Sequence, residues 1–216
     1  MLIFKKRKHV MAKYIKLYPD HPHPAHINEA VEILNNGGLV IYPTDTVYGL
    51  GASIHKPKAI EKLARIKGVK PESAPFTLLF HNLSQMSDYI KQIDTPTFKI
   101  LKKATPGPYT FILPAVHRLP KIMKKRKTIG FRIPGCPILL EILKTLDAPL
   151  VNISIRDDDA FTEYTTDPEL IYEKWRHRVD AVIDGGVSEK IPSTVIDLTG
   201  DEPVLVREGK GHWEIL

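Results

Sequence analysis

Patterns typical of helices and patterns typical of strands alternate along most of the chain, and this alternation limits the fold more than any other feature. The apolar residues of 27–34 recur at helical spacing, two asparagines and two glycines at 35–38 end that segment, and LVIY at 39–42 has the pattern of a buried strand. Alternating helices and strands are typical of proteins that cover a sheet with helices. The sequence therefore predicts an α/β fold or a mixed α+β variant of it.

The same alternation continues along the chain, with no internal repeat, low-complexity tract or Gly/Ser linker. Further strands are predicted at 76–80, 109–113, 128–133, 150–155, 181–183, 194–198 and 204–207. Further helices are predicted to begin at Pro57, Thr95-Pro96, Pro137 and Asp167-Pro168, and the last three of these to end at about Ala104, Leu146 and Arg176. We expect at least seven strands to share one sheet, in a single domain over 12–216.

Charge and composition narrow the class of protein. The net charge is +6, but four of these charges belong to Lys5, Lys6, Arg7 and Lys8, in a segment 1–11 that is predicted to be a disordered extension. No apolar run approaches the roughly 18 residues of a membrane-spanning helix. The single cysteine is typical of a reducing compartment, and the nine histidines lack the spacing of metal ligands. We expect a cytoplasmic protein without membrane association or a protein-bound metal.

The stretch PTDTVYGLG at 43–51 follows the strand at 39–42 and combines hydroxyl groups with two glycines. Thr44, Thr46 and Tyr48 can donate and accept hydrogen bonds, while Gly49 and Gly51 permit a close backbone approach or a positive φ. Such a segment either binds a ligand or forms a capped turn whose hydroxyls satisfy local amides. The motif alone leaves both interpretations open.

Hydroxyl and cationic residues recur at the ends of several other predicted elements. They are Lys67, Thr128, Arg132, Ser154, Arg156, Ser193, Thr194 and Arg207. Because Arg and Lys bind a polyanion while hydroxyls orient it, the set indicates a shared site for a phosphate-bearing ligand. Taken one at a time, each residue also fits a surface ion pair or a hydrogen bond at a strand edge.

A second basic run precedes the predicted strand at 128–133. It consists of Lys121, Lys124, Lys125, Arg126 and Lys127. The run fits either a solvated loop face or a patch that contacts the phosphates of RNA.

Four longer segments carry a resemblance to a known family. They are GGLVIYPTDTVYGLG at 37–51, TPGPYTFIL at 105–113, KRKTIGFRIP at 125–134 and STVIDLTGDEPVLVREG at 193–209. Their order and spacing resemble the YrdC-like family of threonylcarbamoyl-adenylate synthases over nearly all of 12–212, and KRKTIGFRIP with the DGG at 184–186 resembles its YciO-type branch. The resemblance implies a twisted, open mixed β-sheet flanked by helices, with a concave, positively charged cavity.

The resemblance also implies a reaction. L-Threonine, bicarbonate and ATP give threonylcarbamoyl-AMP and pyrophosphate, in a route to the threonylcarbamoyladenosine of tRNA, and Mg²⁺ accompanies ATP as part of the substrate. A carbamate oxygen attacks the α-phosphate in line, so catalysis consists of positioning and of neutralising phosphate charge. L-Threonine, bicarbonate and ATP, or the adenylate made from them, are therefore the expected partners.

The site residues that the resemblance implies fall into two groups. The substrate is contacted by Thr44, Thr46, Tyr48, Thr128, Arg132, Ser193 and Thr194, with Arg132 on the carboxylate of threonine. The nucleotide and its phosphates are bound by Lys67, Ser154, Arg156 and Arg207, of which Lys67 and Ser154 are the catalytic residues.

Two positions depart from the synthase pattern, because Val69 and Arg156 stand where the family's synthases carry Arg and Asn. A hydrogen bond to a charged group contributes about 1.5 to 3 kcal/mol, which is roughly 10- to 100-fold in a binding constant. The activity is thus either a weak synthesis or a hydrolysis or reversal of the adenylate. The alternatives are a non-catalytic factor that binds double-stranded RNA or tRNA in translation, and a site for another phosphorylated metabolite.

Overall fold

The computed structural model describes residues 11–116, 119–124, 126–155 and 165–215. Ten strands in these ranges form one mixed sheet, in the order β1-β8-β2-β3-β7-β4-β6-β5-β9-β10. They are β1 (Lys13–Lys16), β2 (Val40–Tyr42), β3 (Gly49–Ser53), β4 (Thr77–Leu79), β5 (Tyr109–Pro114), β6 (Thr128–Arg132), β7 (Leu150–Ser154), β8 (Ala181–Asp184), β9 (Thr194–Asp197) and β10 (Val204–Arg207). The predicted class and the sharing of one sheet by at least seven strands are confirmed, whereas β1 and β3 were not predicted. Residues 1–10 of the expected extension lie outside the described residues.

Six α-helices accompany the sheet in the described ranges. They are α1 (Pro24–Asn35), α2 (Pro57–Ile66), α3 (Leu83–Ser87), α4 (Thr95–Ala104), α5 (Pro137–Leu146) and α6 (Pro168–Trp175). All except α3 have a proline in the first turn, where the missing N–H leaves no helical hydrogen bond unmade. The N-cap of α4 is Asp94 and not Thr95, because the Asp94 carboxylate accepts a hydrogen bond from the Thr97 N–H at 2.8 Å.

The register of the central strands separates the two faces of the sheet. One row across the strands is apolar and fully buried, and it consists of Ala52, Val151, Leu78, Phe131 and Phe111. The adjacent row consists of Gly51, Asn152, Thr77, Gly130 and Ile112. Because neighbouring residues in a strand point to opposite faces, the core lies on one side and mostly small or polar residues cover the other.

The stretch 43–51 divides into a loop, 43–48, and the first residues of β3. Gly49 and Gly51 therefore lie in a strand, and neither is among the described glycines with a positive φ. Of the two reasons expected for these glycines, close approach is the one that applies, since a Cβ on Gly51 would lie 2.3 Å from the Tyr42 hydroxyl oxygen.

Within the described ranges, no helix has the length and apolar character needed to cross a bilayer.

Candidate anion-binding site

A cavity of about 440 Å³ lies over the polar face of the sheet. Its wall consists of Lys67, Pro75, Phe76, Thr77, Thr110, Ile112, Arg126, Thr128, Ile129, Gly130, Arg132, Asn152, Ile153, Ser154, Ser193, Val195 and Arg207. Most of these residues belong to β4, β5, β6, β7 and β9, so the floor of the cavity is rigid sheet. Among the described residues in this wall, four carry a cationic side chain and none carries a carboxylate.

Arg132 is the most enclosed of the four cations. Its side chain is 8% exposed, one Nη donates to Asp45 Oδ1 at 2.6 Å, and the other donates to Thr46 Oγ1 at 2.9 Å. Burial lowers the pKa of Arg132, and the neighbouring Asp45 charge opposes that effect. Arg132 Nε is buried and has no hydrogen-bond partner among the described residues.

The loop 43–48 is held from two sides. Thr44 Oγ1 accepts the Thr46 N–H at 3.0 Å and lies 2.8 Å from the Val47 carbonyl oxygen, to which it donates. Lys210 Nζ donates to the Asp45 carbonyl oxygen at 2.9 Å and also to Glu189 Oε1 at 2.9 Å. Of the two interpretations of this segment, the capped turn is therefore the one that the threonines form. The turn places Asp45 and Thr46 in contact with Arg132.

Four residues predicted to contact substrate lie outside the cavity wall. Thr44 and Thr46 hydrogen-bond within the loop 43–48, and Tyr48 and Thr194 are buried. Tyr48 is fully buried, and its hydroxyl donates to the Gly186 carbonyl oxygen at 2.8 Å and accepts the Gly185 N–H at 3.2 Å. Burial raises the pKa of Tyr48 above the usual range for tyrosine. Thr194 is also fully buried, and its hydroxyl donates to the Gly211 carbonyl oxygen at 2.5 Å. Both hydroxyls stabilise neighbouring segments of the fold, so neither is free for a ligand in this conformation.

The residues at the far side of the cavity are linked to each other. Ser193 Oγ lies 2.9 Å from Thr110 Oγ1, within hydrogen-bond distance. Arg207 lies in β10, and one of its Nη atoms donates to the Ser193 carbonyl oxygen, just before β9, at 2.6 Å. These contacts join the start of β9 to β5 and β10 at the edge of the cavity.

The basic run at 121–127 divides in the structure. Lys121, Lys124 and Lys127 are exposed. Arg126 instead belongs to the cavity wall, where its guanidinium donates to the Ala74 carbonyl oxygen and lies 5.7 Å from the centre of the Phe76 ring. Desolvation in this position lowers the pKa of Arg126. Two predicted site residues, Lys125 and Arg156, lie outside the described residues.

The structure therefore brings together six of the residues predicted to contact the substrate or the nucleotide, from separate parts of the chain. They are Lys67, Thr128, Arg132, Ser154, Ser193 and Arg207. Sequence reasoning missed three polar wall residues, Thr77, Thr110 and Asn152. Asn152 stands two residues before Ser154 in β7 and so shares its face, which is the signal that the sequence offered. In the described residues, no group of three or more His, Cys, Asp or Glu side chains is arranged to hold a metal ion.

Comparison with known proteins identifies relatives along most of the chain. The Sua5/YciO/YrdC family, described as "Telomere recombination", matches residues 32–209. YciO of Escherichia coli K12 is 42% identical over 204 residues, which are 93% of this chain and 97% of that protein. The crystal structure of E. coli YciO matches with a TM-score of 0.85, over 94% of this chain and 98% of that one.

Longer proteins form a second group of relatives. The threonylcarbamoyl-AMP synthase of Pyrococcus abyssi is 31% identical over 189 residues, which are 85% of this chain and 54% of the synthase. The crystal structure of P. abyssi Sua5 complexed with L-threonine matches with a TM-score of 0.79 at 28% identity, over 91% of this chain and 57% of that one. This chain thus spans a little more than half of these two proteins. From the family match and these relatives together, the chain belongs to the Sua5/YciO/YrdC family.

Proposed function

We propose that this protein binds ATP, L-threonine and their adenylate product in the cavity and acts on threonylcarbamoyl-AMP. In the synthetic direction, L-threonine and bicarbonate give a carbamate and water, and the carbamate oxygen then attacks the α-phosphorus of ATP as pyrophosphate leaves. The hydrolytic direction cleaves the same acyl-phosphate linkage with water to give AMP. Synthesis supplies the intermediate for the threonylcarbamoyladenosine modification of tRNA, whereas hydrolysis removes that intermediate.

The observation that carries this proposal is the cavity wall with four cations and no carboxylate among its described residues. The reactants carry phosphates and a carboxylate, which need such a wall for charge neutralisation. Relatives named threonylcarbamoyl-AMP synthase, and a Sua5 structure complexed with L-threonine, support this choice among anionic ligands.

Within this proposal the wall residues have separate tasks. Arg132, with its unpartnered Nε, pairs with the carboxylate of threonine. Lys67 at the end of α2 and Arg207 on β10 neutralise the phosphates, while Ser154 and Thr128 orient them through their hydroxyls. Mg²⁺ enters with the nucleotide as part of the substrate. These tasks position and neutralise, and no covalent nucleophile is required.

A turnover assay tests the activity in both directions. Purified protein with ATP, bicarbonate and L-threonine is expected to release pyrophosphate slowly, and threonylcarbamoyl-AMP supplied alone is expected to yield AMP. Omitting threonine or bicarbonate is the control for synthesis. If folded protein gives neither pyrophosphate in the first reaction nor AMP in the second, the enzymatic proposal fails.

The substitution Lys67→Ala tests the phosphate site. We expect the Kd for ATP to rise roughly 10- to 100-fold, because one charged hydrogen bond is lost, as measured by isothermal titration calorimetry. Lys58→Ala removes an exposed lysine of the same helix that does not line the cavity, and it serves as the matched control. An equal Kd for both variants would show that Lys67 does not bind the phosphates.

A second candidate function, the binding of double-stranded RNA or tRNA, is favoured by the three exposed lysines of the basic run. Lys121, Lys124 and Lys127 lead directly into Thr128 in the cavity wall. Filter binding of tRNA at two salt concentrations is expected to show weaker binding at the higher salt. Replacing the three lysines by Gln should flatten this dependence, whereas salt-independent binding would argue against an electrostatic RNA site.

A further inference from the structure

The Tyr42 ring lies across β3 and reaches the strand beyond it. Gly51 leaves room for the hydroxyl, since a Cβ there would lie 2.3 Å from the Tyr42 oxygen. Gly49 leaves room for the ring, since a Cβ there would lie 2.7 Å from Tyr42 Cε2. Any side chain at either position would displace the ring, so these two strand glycines are what permit a contact between β2 and β7.

The partner of Tyr42 on β7 is Asn152. The Tyr42 hydroxyl donates to Asn152 Oδ1 at 2.9 Å, across 110 positions of the chain. Tyr42 is fully buried, and burial raises its pKa above the usual range for tyrosine, so the hydroxyl keeps its proton. An Asn carboxamide has an oxygen that accepts and an NH₂ group that donates. With the oxygen bound to Tyr42, the Asn152 NH₂ group is directed away from β2.

Because Asn152 lines the cavity and its oxygen is held by Tyr42, we infer that its NH₂ group faces the cavity. The oxygen lies over β3, because a Cβ on Gly49 would be 2.5 Å from it. Asn152 itself is part of the cavity wall, between Ser154 in the same strand and Thr77, which is its register partner in β4. The two neighbours offer hydroxyls that either donate or accept, whereas Asn152 offers a donor alone.

We propose that Asn152 determines ligand specificity in this cavity by donating a hydrogen bond from Nδ2 to an acceptor oxygen of the ligand, with Tyr42 as the positioning residue. This rests on the proposed function and sharpens it. The chemistry recognised is a phosphoryl or carboxyl oxygen without a proton. A ligand that presents only an N–H at this point meets a second donor and binds less well, because two donors are left unpaired.

The substitution Asn152→Asp replaces the donating NH₂ group by an accepting carboxylate oxygen of nearly the same size. Wild type and variant are titrated calorimetrically with ATP, AMP, inorganic pyrophosphate and L-threonine as separate probes. We expect at least a tenfold weaker Kd for one class of probe, because a donor is replaced by a negative acceptor that faces the anion. Loss confined to ATP, AMP and pyrophosphate assigns the oxygen to phosphate, and loss confined to L-threonine assigns it to the carboxylate.

The substitution Tyr42→Phe separates positioning from packing. It keeps the ring and removes the hydroxyl, so we expect a smaller loss of affinity, about threefold, for the same probe. In the double variant with Asn152→Asp, the loss should not exceed that of Asn152→Asp alone, because the hydroxyl acts only through Asn152. Tyr14→Phe is the matched control, since it removes the hydroxyl that donates to Asp184 at the β1 edge of the sheet.

The outcomes distinguish this inference from the proposed function. If the wild type binds its probes and Asn152→Asp binds all of them equally well, the role of Asn152 is wrong while the proposed function stands. If the wild type binds none of the probes, both are wrong. Asn152→Ala, which removes the donor without adding a charge, gives the same comparison if the aspartate variant does not fold.

Discussion

Arg132 is the residue at which the loop 43–48 and the floor of the cavity meet. Its guanidinium is almost fully buried, and it contacts the carboxylate of Asp45 at 2.6 Å. Burying a charge is costly, and the cost is recovered only when a partner and further hydrogen bonds are present. The pair therefore places a cation in the cavity wall, and the Asp45 carboxylate offsets the free-energy cost of burying it.

Removing the Asp45 charge should destabilise the fold, because Asp45 is the counter-charge of the buried Arg132. We expect Asp45→Asn to lower the free energy of unfolding by about 3 to 5 kcal/mol, because Arg132 stays buried without a counter-charge. Urea unfolding measures this change. Glu189→Gln breaks the more exposed pair with Lys210 and should cost less than about 1 kcal/mol. Losses of equal size would mean that the Arg132 pair contributes no more than a surface pair.

At the scale of the element, β3 shows why a strand carries two glycines. The strand lies between β2 and β7, and on its polar face the space that side chains would fill is taken by the Tyr42 ring. On its other face, Leu50 and Ala52 are fully buried in the core. The strand is therefore apolar on one side and open to a neighbouring aromatic ring on the other.

Filling that space should destabilise the fold. We expect Gly51→Ala to cost about 1 to 3 kcal/mol in urea unfolding, as overpacking of a close-packed site does. Tyr42→Phe in the same chain should recover part of the loss, because the oxygen nearest to the new Cβ is removed. Gly200→Ala is the control, since a Cβ there would lie no nearer than 3.9 Å to its neighbour Glu202 O. A loss no larger than that of the control would contradict the packing argument.

At the scale of the whole molecule, two tyrosines buried in the fold make its stability sensitive to alkaline pH. Burial raises the pKa of both Tyr42 and Tyr48. The unfolded chain ionises its tyrosines near pH 10, whereas the folded chain retains these two protons. The contribution of these two protonated tyrosines to the free energy of unfolding is therefore fully present below about pH 10. It is lost as the pH rises further.

The expected pH dependence has a slope that can be measured. Above pH 10, each buried tyrosine should lower the free energy of unfolding by about 1.4 kcal/mol per pH unit. Tyr48→Phe should be less stable than wild type at pH 7, because the hydrogen bond to Gly186 is lost, but its stability should fall less steeply above pH 10. Tyr18→Phe, at a ring that is 64% exposed, should follow the wild-type curve. Parallel curves for Tyr48→Phe and wild type would contradict this.

Local patterns predicted much of the fold and part of the site. Apolar spacing and first-turn prolines located α2, α5 and α6, because both act within a few residues of the helix they begin. The short strand β1 was not predicted, since its pairing with β8 comes from 168 positions away. Strand β3 was not predicted either, because its two glycines are uncommon in strands. Lys67, Ser154 and Arg207 were predicted as site residues, and the structure places all three in the cavity wall.

The sequence by itself determined the class of fold, the family and the cationic character of the site, because these depend on residue types and on their spacing along the chain. Only the tertiary structure decided which hydroxyls and cations face the cavity. Tyr48 and Thr194 find buried partners in distant segments, Arg126 turns from the basic run into the wall, and Tyr42 meets Asn152 across β3. The physical reason is that a side chain's direction follows from strand register and close packing, and both are settled between residues far apart in the chain.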